Sequence, residues 1–111
     1  MPTTYKVLGQ INPNAYSYSD AYTAANQAVV STITICNRDV NTSSYRIAVQ
    51  KAAEYSPLTP ADKTLIAYEI TVAPKDTTTL TLGVTMATGD VITVWAATNY
   101  LTFNIFGSEI S

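Results

Sequence analysis

The side chains that could do chemistry here are the carboxylates, a single thiol and eight tyrosines, and there is no histidine. Without an imidazole the commonest general base, the commonest metal ligand and the Ser-His or Cys-His pairing of covalent hydrolases are all missing. Glycoside hydrolysis needs only two carboxyl groups facing each other across a bond. Asp62, Glu69, Asp76, Asp90 and Glu109 are the candidates for such a pair, and nothing in their spacing brings two of them together. Asp76 and Asp90 stand next to Pro74-Lys75 and Gly89, where aspartate commonly closes a turn by bonding its own backbone. Cys36 has only Arg38 as a nearby cation in sequence, so it is expected as a small buried apolar residue rather than a nucleophile. Gly9, Gly83, Gly89 and Gly107 lie too far apart to form a phosphate loop. The expectation is a chain with no catalytic residues, no cofactor and no metal site, that is, not an enzyme.

The tyrosines are the unusual feature, with Tyr5, Tyr16, Tyr18 and Tyr22 crowded into the first quarter. Tyrosine buries area at low rotamer cost and keeps a polar tip, which suits ordinary strand packing, an assembly interface or stacking on a sugar ring. Tyr16 and Tyr18 fall on one strand face with alanines as nearest apolar neighbours. The candidate interface residues are Tyr5, Lys6, Tyr16, Tyr18, Tyr22, Arg46 and Tyr55. Residues 1–6 hold few apolar anchors and read as a candidate N-terminal arm that orders on binding a neighbour.

Behind these residues stand 111 positions, enough for one core and read as one domain over 1–111. With 47% hydrophobic and 13% charged residues the chain should fold, under a sparsely charged surface. The net charge is −2 and no run of lysine or arginine is present to neutralise phosphates, so nucleic acid is not an expected partner. No apolar stretch approaches the ~18 residues of a membrane span, and Met1-Pro2-Thr3-Thr4-Tyr5-Lys6 carries no apolar signal region, so no membrane partner is expected. A lone cysteine excludes an internal disulfide and fits synthesis in a reducing cytoplasm.

Threonine, valine, isoleucine and tyrosine dominate, and their period-2 alternation recurs segment after segment. Ile33 and Ile35 oppose Thr32, Thr34 and Cys36; Tyr45, Ile47 and Val49 oppose Arg46, which puts Arg46 on a solvent or partner face. Ile66, Tyr68, Ile70 and Val72 oppose Leu65, Ala67, Glu69 and Thr71. Leu80, Leu82 and Val84 oppose a row of threonines. Val91 to Ala97 is apolar on both sides, as in a central or doubly covered strand. Turn residues punctuate these runs, at Asn12-Pro13-Asn14, Asn37-Arg38-Asp39, Ala73-Pro74-Lys75-Asp76 and Thr88-Gly89-Asp90. About eight short strands predict an all-β, antiparallel sandwich or jelly roll. Lys51 to Thr64 has no clean periodicity, and a loop that long is usually functional or partner-bound.

Several strand sequences resemble those of small structural proteins of tailed phages, notably of cyanobacterial hosts. They are Tyr5-Lys6-Val7-Leu8-Gly9-Gln10, Ala28 through Arg38, Tyr45-Arg46-Ile47-Ala48-Val49, Thr81-Leu82-Gly83-Val84, Gly89 through Val94 and Phe103 through Ile110. The resemblance implies a capsid cement or decoration protein, a dimer or trimer on the capsid surface of a virion, made in the host cytoplasm. Its implied partners are the major capsid protein and further copies of itself. The alternative within the same resemblance is a tail, neck-fibre or receptor-binding module.

Overall fold

Eight antiparallel strands form two four-stranded sheets in the computed structural model, which describes residues 3–110. The strands are β1 (Thr3–Ile11), β2 (Tyr18–Thr23), β3 (Gln27–Asn37), β4 (Ser43–Gln50), β5 (Leu65–Val72), β6 (Thr77–Met86), β7 (Val91–Ala96) and β8 (Leu101–Ile110). One sheet has the order β1-β8-β3-β6 and the other β2-β7-β4-β5. The chain therefore pairs as a nested hairpin, first strand with last, second with seventh, third with sixth and fourth with fifth, with residues 51–64 at its tip. That arrangement, folded over into two sheets, is the jelly-roll form of the β-sandwich. The only helices among the described residues are two three-residue 3-10 turns, and none is long and apolar enough to cross a membrane.

Alternation builds the core between the sheets. Ile33, Ile35, Ile47, Val94, Phe103 and Ile105 are fully buried there, and Tyr45 meets Phe103 edge to face at 6.2 Å. β7 is buried along its whole length, as its two apolar faces require. Asn37 is buried too, and its amide is satisfied by the carbonyls of Asn41 and Val72, 2.9 and 3.1 Å away, which ties the β3–β4 turn to the end of β5. The edge strands β1 and β2, one from each sheet, approach so closely that a Cβ on Gly9 would sit 2.2 Å from the Ala21 carbonyl oxygen. Gly107 meets the Val29 carbonyl in the same way, at 2.1 Å. Both are sites where only glycine fits.

Bulges shift the alternation in several strands. At Ser31, β3 gains a residue relative to β8, so Val30, not Val29, is the buried valine beside Ile33 and Ile35. In β5, Tyr45 pairs with Ile70 and Ile47 with Ala67, leaving Tyr68 and Glu69 together opposite Arg46. Ile66 and Tyr68 therefore share the outer face while Ile70 and Val72 turn the other way, against the unbroken pattern expected from the sequence. Leu8 in β1 and Ala21 in β2 are extra residues of the same kind. Cys36 departs from expectation as well: it is only half-buried, on the outer face of β3 between Thr102 and Thr77. Of the expected arm, Met1 and Pro2 lie outside the described residues, and Thr3 to Lys6 pair with Ile110 to Gly107.

Candidate functional site

The outer face of the β2-β7-β4-β5 sheet carries the densest group of functional side chains, and strand register assembles it. Tyr18 pairs with Trp95, Trp95 with Arg46, and Arg46 faces the Tyr68–Glu69 bulge. One cross-strand row thus runs over four strands. The Arg46 guanidinium lies over the Trp95 ring at 4.0 Å and over the Tyr68 ring at 4.5 Å, with the Tyr18 ring at 6.0 Å. It donates to the Tyr18 hydroxyl oxygen at 3.2 Å and to the Glu69 carboxylate. A planar guanidinium serves this site because it can stack on a ring while its edge donates. Burial alone would lower the Arg46 pKa, but hydrogen bonds to Tyr18 and Glu69 outweigh it and leave the pKa raised. Its Nε is buried without a partner.

Backbone strain marks the same place. Among the described residues, the non-glycine ones with left-handed φ are Tyr16 (58°), Glu69 (51°) and Lys75 (55°). Two of the three converge on this row. Left-handed geometry in a bulky residue costs about 1 kcal/mol or more and persists only where its surroundings hold it. At Glu69 it makes the bulge that turns the carboxylate to Arg46. At Tyr16 it follows a 2.8 Å bond from the Tyr16 amide to the Ala96 carbonyl and brings the ring edge to face with Trp95 at 5.8 Å. Trp95 is consequently only 8% exposed, whereas Tyr16 is 74% and Tyr68 57% exposed.

The other half of this face is covered by the chain itself. The Gln50 amide donates to the Ser56 carbonyl at 3.1 Å and to Thr93 at 2.9 Å, and accepts from the Ser56 amide at 2.9 Å. Thr93 continues to Asp20, and Asp20 accepts from the Tyr55 hydroxyl, whose pKa is pushed up to about 12 chiefly by that bond. Asp90 accepts from the Ala52 and Ala87 amides at 3.1 and 2.9 Å, closing its own turn and pinning the loop. The 51–64 loop is thus fastened over Ala48, Gln50 and Thr93, all buried.

The candidate interface residues are divided among three places. Tyr16, Tyr18 and Arg46 come together, and Tyr55 lies on the same face in the loop. Tyr22 is buried in the core and donates at 2.5 Å to Glu109, which also meets Lys6 at 2.6 Å. Burial first, and then that carboxylate, push the Tyr22 pKa up; hydrogen bonds from Lys6 and Tyr22 hold Glu109 below its ordinary value. Tyr5, 83% exposed, lies on the opposite sheet beside a shallow groove with Val7, Val29 and Phe106. Trp95 and Tyr68 belong to the site without having stood out in the sequence, and Glu69, weighed there only as a catalytic carboxylate, joins it as the partner of Arg46. The five carboxylates weighed as a catalytic pair are dispersed to separate turns and ion pairs, and no group of three or more His, Cys, Asp or Glu among the described residues could hold a metal.

What these elements define is an eight-stranded antiparallel sandwich with an arginine–aromatic platform on one outer face. No protein-family model and no curated protein matches the chain.

Proposed function

We propose that this chain is a structural protein of a virus particle, of the capsid cement or decoration type, that self-associates and attaches to the major capsid protein of a tailed phage. The observation that carries the reading is the platform. Tyr16 and Tyr68 stand exposed on either side of Trp95 and Arg46, and side chains of these types, rigid and amphipathic, supply most of the energy of protein interfaces. The site is pre-organised, because Trp95, Glu69 and Tyr18 already hold the guanidinium, so little side-chain entropy is lost on docking. Jelly-roll folds serve in viral shells, and also in lectins, so the fold supports this role by analogy alone. In this reading the chain performs no catalysis and binds neither nucleic acid nor membrane.

A tail or receptor-binding module is the second reading, with the exposed tyrosines stacking on surface sugars. It is weakened by Arg46, which already occupies a face of Trp95, the largest ring on the platform. Copy number and position in purified particles, by quantitative gel and electron microscopy, test the two. Hundreds of copies over the shell, reduced by Tyr16→Ala with Tyr68→Ala, support the cement role. A few copies at the tail would transfer the chain to the second reading, and absence from particles would remove both.

A further inference from the structure

Edge strands expose unpaired N–H and C=O groups, and proteins blunt them with charge, proline, short length or bulges. Three of the four edges here are protected. β2 is six residues long, with Asp20 and a register shift; β5 holds Glu69 at a bulge; β1 holds Lys6 and a bulge, and Gly9 closes it against β2. β6 differs. Its ten residues, Thr77–Met86, include no charge and no proline, and Thr77 to Thr81 pair with β3 in unbroken register before the irregularity at Leu82 and Gly83. Behind that edge the sandwich is open: Leu80, Leu82 and Val84 are only partly buried, and Ile70 on neighbouring β5 is 46% exposed.

We propose that β6 pairs antiparallel with β6 of a second copy of this chain about a two-fold axis, joining two β1-β8-β3-β6 sheets into one eight-stranded sheet. A second copy fits because two-fold pairing of identical strands sets each face against its own kind. With the axis near Thr79 and Leu80, the outer row of Thr77, Thr79 and Thr81 meets the same threonines of the copy, a favourable cross-strand pairing. Leu80 and Leu82 of both copies then close the open seam. Self-pairing of β1 or β5 would instead bring Lys6 towards Lys6 or Glu69 towards Glu69, and apposed like charges destabilise a ladder. The inference rests on the self-association in the proposed role but not on the shell.

The test is the mass of the isolated chain by sedimentation and light scattering. A dimer is expected, and Thr79→Lys, on the exposed outer row, weakens it at least tenfold with the circular dichroism unchanged. Thr81→Glu is the second variant should the first fail to fold. A spin label on Cys36 should report one distance of about 20–25 Å between backbones, from a strand spacing of ~4.8 Å and a rise of ~3.3 Å per residue. A monomer at about 0.1 mM, a trimer, or a dimer that both substitutions leave intact would overturn the pairing. A dimer broken by Thr79→Lys sustains it even where particles contain none of the chain, in which case the shell role alone is lost.

Discussion

Replacing Arg46 by alanine removes the centre of the platform, and the loss can be worked from its contacts. Stacking over Trp95 and Tyr68, in a largely desolvated position, contributes about 2 kcal/mol. The hydrogen bond to Tyr18 adds about 1 kcal/mol. The ion pair with half-exposed Glu69 adds no more than about 0.5 kcal/mol after solvent screening. Against these stands the buried, unpartnered Nε, whose removal returns about 1 kcal/mol. The net loss is about 2–3 kcal/mol, or roughly 10–20 °C in melting temperature for a domain of this size. Trp95 is the only tryptophan and sits against the guanidinium, so its emission reads both the site and the unfolding transition in guanidinium chloride. Arg46→Ala should shift the native emission to the red as Trp95 is uncovered. Arg46→Lys, which keeps the charge but loses the planar stack, should recover less than half of the stability. A loss below about 0.5 kcal/mol with unchanged native emission would refute the platform as a pre-organised unit.

Other perturbations follow from single contacts. Gly107→Ala must displace the Val29 carbonyl and should cost at least about 2 kcal/mol or prevent folding, whereas Gly83→Ala, with nothing near its Cβ, should change stability by under about 0.5 kcal/mol; denaturant titration separates them. Tyr22→Phe strips the hydroxyl that bridges to Glu109 and should lower the melting temperature by about 5 °C at neutral pH. Glu109 has a folded pKa below its ordinary 4.5, so its contribution is complete above that value and is lost as pH falls through the folded pKa; Glu109→Gln should flatten the acid limb of melting temperature against pH. Tyr55 behaves in the opposite sense. Its pKa rises from 10.0 to about 12 in the folded chain, so its hold on the loop is complete below pH 10 and is lost as pH rises through about 12. Hydrogen exchange in the 51–64 loop should accelerate over that window, and Tyr55→Phe should show fast exchange at every pH.

The fold was legible because most strands bury at least one face, and period-2 patterning survives where a strand buries only one. β6 and β7 show the two clean cases, alternating and wholly apolar, and both stand where the pattern placed them. Bulges are where reading failed. Ser31 and Glu69 are unexceptional residues for a strand, and nothing in their types announces that one is an extra residue and the other left-handed. The site was half-legible for the same reason. Arg46 is recognisable as an outward cation from its own strand, but Trp95 and Tyr68 join it only through pairing register across three strands, which a single sequence does not encode locally. Tyr22 illustrates the converse: a tyrosine read as surface lies in the core because its hydroxyl finds Glu109 across the sandwich.

The distribution of polar work over the molecule sorts its surfaces by purpose. Where a face needs covering for stability, the chain covers it: the 51–64 loop lies over Gln50 and Thr93, and every polar group along Ser56, Gln50, Thr93, Asp20 and Tyr55 finds a partner within the chain. Half a sheet further along, the same face holds two strained residues and leaves two tyrosine rings exposed. A glycine at Glu69 or Tyr16 would relieve the strain but delete the carboxylate on Arg46 or the ring on Trp95. In the proposed role the strain serves docking, since the bulge aims Glu69 at Arg46 and the left-handed turn seats Tyr16 on Trp95 beside the exposed rings. The uncharged β6 edge lies on the other sheet, so pairing there would leave the platform of each copy free for a different partner.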